Sequence, residues 1–316
     1  MINNPEIYTL AFYNIENLFD TKNDPLTHDD DFLPNSLKRW TPKRYQKKLL
    51  KLGTVISKIG NENSNSAPDI IGLAEVENEK VVKDLVNSKN LIEENYSYIH
   101  YDSMDERGVD VALIYKSDRF QVINSETFSV YLENDKGEQD YTRDVLLVQG
   151  LLNNENINVI VNHWSSKREG EKETEFKRIA AANVVISIIK KLKEEKPEAK
   201  IIVMGDFNDN PNSKSILSLQ EQGNLFNPFK TVWSRSNGSL NHNFQWNMFD
   251  QILFSTNFFD VSSSSLIYHN AEVFNSKFLT QYKGKFKGQP FRTFVGRKYT
   301  GGYSDHFPVF LQLKTS

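Results

Sequence analysis

Apolar runs of strand length recur along the whole chain, at residues 7–13, 70–74, 109–115, 145–152, 157–161, 201–204, 251–254 and 308–313. Many are apolar at consecutive positions, the pattern of strands covered on both faces. They are rich in the β-branched and aromatic residues that suit a pleated backbone. Helical patterns lie between them. Thr41 as N-cap and Pro42 at the first helical position lead into Tyr45, Leu49, Leu52, Ile56 and Ile59, spaced by three and four. A second helix is expected over about residues 173–193, with Phe176, Ile179, Ala180, Val184, Ile188 and Leu192 facing inward. The stretches 120–131 and 145–161 read as hairpins, so the fold class is mixed α/β. Polar, Gly and Pro content places loops at 61–68, 133–140, 209–213 and 234–243. None has the length of an interdomain linker and no internal repeat is present, so one domain over 1–316 is expected.

Composition removes several kinds of chemistry. The chain has no cysteine, which excludes disulfides, zinc–thiolate sites, iron–sulfur clusters and a cysteine nucleophile. Any metal must sit on oxygen or imidazole. The longest apolar stretch, 179–189, is closed by Arg178 and Lys190 and broken by Asn183 and Ser187. It falls short of the roughly 18 residues of a membrane span. Asn3, Asn4, Pro5 and Glu6 stand where a secretory signal carries its apolar core, so a soluble, cytoplasmic protein is expected, and a monomer.

A net charge of −3 exerts no global pull on nucleic acid, but the charges are unevenly placed. Residues 37–61 hold Lys38, Arg39, Lys43, Arg44, Lys47, Lys48, Lys51 and Lys58 with no acid, which reads as the solvated face of the first helix. Residues 273–304 interleave seven cations with aromatics, a combination that can follow a phosphate backbone and stack bases. Asp20, Asp24, Asp29, Asp30 and Asp31 do not match the spacing of an EF-hand and read as a solvated acidic loop.

Several strand runs end in a polar residue, which is how an α/β sheet builds a site: Asn14, Glu75, Asn162 with His163, and Asp206. Asp250 directly precedes another run, and Asp305 and His306 precede the last. Each alone has an ordinary explanation as an Asx-turn former, a loop residue or a surface carboxylate. Brought together they form a set of carboxylates, carboxamides and imidazoles suited to Mg²⁺ or Mn²⁺, with substrate phosphate completing the shell. Hydrolysis of a phosphate ester needs a polarised phosphoryl oxygen, a deprotonated water and a protonated leaving oxygen, and these residue types supply all three.

The motifs around these residues resemble those of the endonuclease/exonuclease/phosphatase superfamily, with its DNase I-like fold. They are Asn14 in Phe-Tyr-Asn-Ile-Glu-Asn-Leu-Phe, Glu75 in Leu-Ala-Glu-Val-Glu, Gly-Asp-Phe-Asn at 205–208, Asp250 before a strand, and Ser-Asp-His-Phe-Pro-Val at 304–309. The resemblance implies a four-layer sandwich of two packed mixed β-sheets flanked by helices, and Mg²⁺-dependent phosphoester hydrolysis. It implies Glu75 as main metal ligand, Asn14 and Asp305 as further ligands, Asp206 acting on the attacking water, Asn208 on the scissile phosphate, and His306 paired with Asp250. His163 stands where DNase I-like, sphingomyelinase-like and inositol phosphatase members carry a histidine and abasic-site endonucleases do not, so abasic-site repair ranks low. Arg143, just before the strand at 145, is a further phosphate-clamp candidate, since a guanidinium reads phosphate bidentately. The leading expectation is a Mg²⁺-dependent phosphodiesterase, first of all a nuclease acting on nucleic acid. A phosphatase or phosphodiesterase on a small-molecule or lipid headgroup phosphoester comes second. A non-catalytic binding protein comes third, and it predicts losses among Glu75, Asp206, Asn208, Asp250 and His306 that this chain does not show.

Overall fold

The computed structural model describes residues 5–134, 136–262 and 265–316. Asn3 and Asn4 of the secretory-signal argument, and Asp135 of the expected 133–140 loop, lie outside the described residues. In chain order the strands of the two large sheets are β1 (Ile7–Leu18), β2 (Ile70–Val76), β3 (Tyr96–His100), β4 (Asp110–Lys116), β5 (Phe120–Phe128) and β6 (Val145–Leu152). They continue with β7 (Glu155–His163), β8 (Lys200–Asp206), β9 (Leu225–Phe226), β10 (Asp250–Ser255), β11 (Leu266–Val273) and β12 (Val309–Thr315).

One six-stranded sheet runs β11-β12-β1-β2-β4-β3 and the other β9-β10-β8-β7-β6-β5. Each is mixed, with one parallel pair, β1 with β2 and β7 with β8, among antiparallel neighbours. Those four strands carry the continuous apolar runs because both of their faces are covered. The inner faces meet through Leu10, Phe12, Val159, Val161, Met204 and Phe254. At Gly72 the sheets approach so closely that a Cβ would lie 2.7 Å from the Met204 sulfur and 3.1 Å from Val161 Cγ1.

Helices cover the outer faces. Helix α1 (Pro42–Ile56) and helix α2 (Glu79–Val86) bring Leu49, Leu52, Ile56, Val81 and Leu85 onto the first sheet. Helix α3 (Glu175–Glu195) and helix α4 (Lys214–Gly223) pack Val185, Ile188, Ile189, Ile216 and Leu219 onto Val203, Ile201 and Leu253 of the second. The four-layer expectation holds, helix–sheet–sheet–helix. No helix among the described residues is long and apolar enough to cross a membrane.

Four local expectations are corrected. The buried apolar residues of α3 are Ala181, Ala182, Val185, Ile186, Ile188, Ile189 and Leu192, so Ile188 and Leu192 face inward as expected, while Ile179, Ala180 and Val184 are half-buried and Phe176 is exposed. Its sequence is apolar around much of the helix, so periodicity alone did not choose the stripe. Residues 120–131 form no hairpin of their own; β5 pairs antiparallel with β6 instead. Lys48 is not on a solvated face but buried, as are Asp20 and Asp29 of the acidic loop. The expected loop 234–243 holds one arm of a hairpin, Leu240–His242 against Gln245–Asn247.

Candidate active site

The strand ends converge on one edge of the sandwich. Register sets Asp206 opposite His163 on one side and opposite Asp250 on the other, so three functional groups stand abreast on β7, β8 and β10. On the facing sheet, irregular pairing follows Asn14 on β1 and falls between Ala74 and Val76 on β2. Glu75 sits in that second irregularity with φ +66°, and Glu16 and Asn17 are also left-handed. Such a conformation costs a non-glycine residue on the order of 1–2 kcal/mol, and bulges of this kind re-aim side chains beside active sites.

The side chains then meet across the two sheets. Asn14 Nδ2 donates to Asp206 Oδ2 at 2.9 Å, joining the sheets, and Asn14 Oδ1 accepts from the Glu16 amide. Glu75 Oε2 accepts from the Asn17 amide at 2.8 Å, and its Oε1 lies 3.3 Å from Arg107 Nη2. His163 Nε2 stands 4.0 Å from Glu75 and 3.9 Å from Asp206. His306 Nδ1 lies 2.6 Å from Asp250 Oδ2, and its Nε2 points to Asp206 Oδ2 at 3.9 Å. Ser304 locks this last segment by donating to the Asn14 carbonyl and accepting from the His306 amide. Asn208, at φ +49°, gives its amide N–H to Asp206 Oδ1 and its Nδ2 to the Trp164 carbonyl. Asp250 Oδ1 and His163 Nδ1 are buried without a hydrogen-bond partner among the described residues. Buried polar atoms are rarely left so except where a ligand or a reaction uses them.

Electrostatics divides the groups by role. Burial pushes the Asp206 carboxyl up, Asp250 adds repulsion and His306 opposes both, leaving it at about 7. Burial disfavours the His306 cation, but Asp250 and Asp206 together hold its pKa well above the ordinary value. His163 is driven the other way, by burial and then by Arg143, and stays neutral. Burial would raise Glu75, yet Arg107 first and His163 next bring it to about 2. Asp305 is likewise lowered, burial being outweighed by His306 and by Arg292, whose Nη2 is 2.7 Å away.

The expected site residues Asn14, Glu75, His163, Asp206, Asn208, Asp250 and His306 are thus brought together, with Asp305 beside them paired to Arg292. Arg143 is near but differently employed. Its Nε, Nη1 and Nη2 go to the His163 carbonyl, to Asp105 and to the Trp164 carbonyl at 2.8–3.2 Å. These contacts make Arg143 a brace on the backbone carrying His163. The guanidinium that faces Glu75 is Arg107, which sequence reasoning missed. Its only local signal is the Glu-Arg-Gly turn, where Gly108 takes φ +66°.

The donor set fits a hard divalent cation by its chemistry. Glu75 and Asp305 are held ionised, Asn14 adds an amide oxygen, and no thiol exists in the chain. Asp206, Asp250 and His306 also offer atoms within 4.8 Å of one another. A histidine held protonated between two carboxylates, however, serves as a charged donor and not as a ligand. His100, Asp102 and Asp110 cluster as well, but Asp102 faces Nδ1 and Asp110 faces Nε2, so the carboxylates lie on different edges of the ring.

A model of the endonuclease/exonuclease/phosphatase family matches residues 9–315. Among solved structures, an endonuclease/exonuclease/phosphatase family protein from Bacteroides thetaiotaomicron is 19% identical, with 99% of each chain covered and a TM-score of 0.63. A mannosyl-6-phosphatase of the same species is 20% identical over 97% of this chain and 99% of that one, with a TM-score of 0.60. A D. rerio TDP2 complexed with single strand DNA product is 12% identical over 98% and 99%, at 0.58. These identities speak to fold alone. No curated protein sequence matches the chain.

Proposed function

The chain belongs to the endonuclease/exonuclease/phosphatase family, whose members hydrolyse phosphoester bonds, and from that premise we propose that it is a divalent-metal-dependent phosphodiesterase, in the first place a nuclease. The observation that carries the proposal is a buried carboxylate, Asp206, which is hydrogen-bonded to Asn14 and stands 3.9 Å from the Nε2 atoms of both His163 and His306; burial pushes it up to about 7. A general base works best with its pKa near the operating pH, and Asp206 can take a proton from water without leaving its hydrogen bond to Asn14. His306 stays cationic against Asp250 and offers Nε2 to charge developing on the phosphate or to the leaving oxygen. Asn208 sits beside Asp206 with its side chain held by Trp164, placed to orient a phosphate oxygen.

Mg²⁺ or Mn²⁺ held by Glu75, with Asn14 and Asp305, would supply Lewis-acid polarisation of the phosphoryl oxygen. Arg107 keeps Glu75 ionised for that purpose. The structural relatives divide between a phosphatase and a protein complexed with single-stranded DNA, so the choice of substrate falls to this chain's own surface. The acid-free stretch at 273–304 favours a polyanion.

The test is hydrolysis of an aryl phosphodiester and of single- and double-stranded DNA and RNA, with Mg²⁺, with Mn²⁺ and with chelator, beside Asp206→Asn and Glu75→Gln. Metal-dependent cleavage that falls by at least about 100-fold in both variants is expected. Cleavage that survives chelator, or persists in Asp206→Asn, refutes the mechanism. Turnover of the aryl diester without any polymer shifts the substrate to a small or lipid phosphoester.

A further inference from the structure

Beside the catalytic edge, two surface hairpins present aromatic rings to solvent. The first is Leu240–His242 against Gln245–Asn247. Its base is tied to both members of the His306–Asp250 pair. Leu240 bridges His306, the Phe307 amide donates to the Ser239 carbonyl at 2.7 Å, and the Asp250 amide donates to Ser239 Oγ at 3.1 Å. Trp246 stacks on Phe307, which fixes the direction in which the hairpin leaves the site. Its tip, one turn beyond His242, is about 7–10 Å along the strand from Leu240.

That tip is chemically odd. Two residues, Asn243 and Phe244, connect the arms, and both have positive φ, +49° and +62°. This is the type I′ geometry, whose second position favours glycine. A phenylalanine there accepts backbone strain that glycine avoids and leaves its ring 60% exposed. The ring lies parallel to Phe286, with centroids 5.7 Å apart and planes within 2°. Phe286 belongs to a second turn, closed by hydrogen bonds between Gln281 and Gln289 and between Gly288 and Gln281. This turn also exposes Tyr282, Lys283, Lys285 and Lys287. None of these lysines is in an ion pair among the described residues, and Lys285 Nζ lies 4.8 Å from the Phe286 centroid.

The two segments that carry these turns are one-sided in charge, although one of their cations, Arg292, is paired to Asp305. Residues 222–249 and 273–304 contain nine Lys or Arg and no Asp or Glu, whereas 41 acids in 316 residues would place about eight there. We propose that Phe244 and Phe286 are a stacking platform for an unpaired nucleobase, with Lys283, Lys285 and Lys287 taking the adjoining phosphates. The inference rests on the hydrolase reading of the site and deepens it, making single-stranded nucleic acid the substrate. A paired base has both faces covered by its neighbours and cannot use the platform, while every unpaired base has a face to offer.

The test separates this inference from the hydrolase reading. Fluorescence polarisation in chelator compares a short labelled oligothymidylate, an abasic strand of the same length and a duplex, on the wild type, Phe244→Gly and Phe286→Ala. The wild type is expected to prefer the base-bearing strand, and each variant to weaken that strand's binding about 5- to 150-fold while binding to the abasic strand holds. Phe244→Gly is expected to melt no lower than the wild type, since glycine relaxes the turn, so it decides the question even if Phe286→Ala loosens its loop. Equal affinity for base-bearing and abasic strands, duplex bound as tightly as single strand, or no change in Phe244→Gly overturns the platform. Aryl diester hydrolysis by the wild type is scored separately. Failure to cleave either the aryl diester or any of the polymers, alongside base-dependent binding, would overturn the hydrolase and leave the platform supported.

Discussion

Replacing Lys48 by methionine removes a cation that the fold encloses. Its Nζ donates to Thr293 Oγ1 and to the Tyr303 carbonyl, both at 2.6 Å, and lies 4.0 Å from Glu16. Glu16 in turn accepts the Thr293 and Phe294 amides at 2.6 and 3.2 Å. The pair therefore fastens α1 and β1 to the segment that runs into Asp305 and His306. Burial pushes Glu16 up, with Asp305 adding to it, from 4.5 to about 7, and pushes Lys48 down, against Glu16, from 10.5 to about 8. Lys48→Met removes the cation that opposes burial at Glu16, so the carboxyl takes up a proton or stays buried without a counter-charge, and a loss of at most about 3–5 kcal/mol is expected at neutral pH. The double variant Lys48→Met/Glu16→Gln should recover most of it, since a buried ion pair replaced by neutral groups is often nearly neutral. The pH dependence has a definite sign. Glu16, raised in the folded state, contributes stability in full below 4.5 and loses it as pH rises through about 7. Lys48, lowered, contributes above 10.5 and loses it as pH falls through about 8. The double variant therefore compares best with the wild type between pH 7 and 8. Because Glu16 is raised in the folded wild type, that comparison worsens on going from pH 7 to pH 4.5. Urea denaturation at several pH values measures both effects, and kcat of the double variant reports the slackened loop as a loss. A double variant as unstable as the single one, or one with full turnover, would refute the reasoning.

The other two predictions concern a charge and a face. Arg107→Met removes the main force holding Glu75 at about 2. Glu75, lowered in the folded state, contributes stability above 4.5 and loses it as pH falls through about 2, so in chelator the variant should lose stability at higher pH than the wild type. An unchanged acid limb in urea denaturation would remove Arg107 as its counter-ion. On α3, Ile188→Ala should cost about 2–5 kcal/mol and the exposed Phe176→Ala less than about 0.5 by the same assay. Equal costs would return Phe176 to the buried stripe.

The long strands were legible because burial on both faces leaves a continuous apolar run, as in β2, β7 and β8. The strands β3 and β11 were not, because an edge strand is half exposed and mixes polar with apolar residues, as Tyr-Ser-Tyr-Ile-His and Leu-Ile-Tyr-His-Asn-Ala-Glu-Val do. The apolar run of β1 stops at Tyr13, but the strand continues to Leu18 through the irregular stretch that begins at Asn14. The polar residues that signal the site are also the ones that mask the end of its strand. Lys48 was misread for a related reason. Helical spacing puts it beside Leu49 and Leu52 but says nothing about a segment some 245 residues away folding over it.

Arg107 and Arg143 show where motif reading stops being physical. Each lies near a strand of the site, each is surrounded by acids in sequence, and a guanidinium suits a phosphate in either place. What separates them is how the donors are used. Arg143 commits three of its five N–H donors to Asp105 and two backbone carbonyls, whereas Arg107, on the turn after Asp105, reaches Asn17 and Glu75 at the site's floor. Asp105 thus sorts the two, holding Arg143 through its carboxylate and accepting the Arg107 amide on its other oxygen. The loop that carries Arg107 is built against the brace that Arg143 forms. Losing Arg143 would displace the Glu75 counter-ion and the His163 backbone together, through contacts made without any ligand.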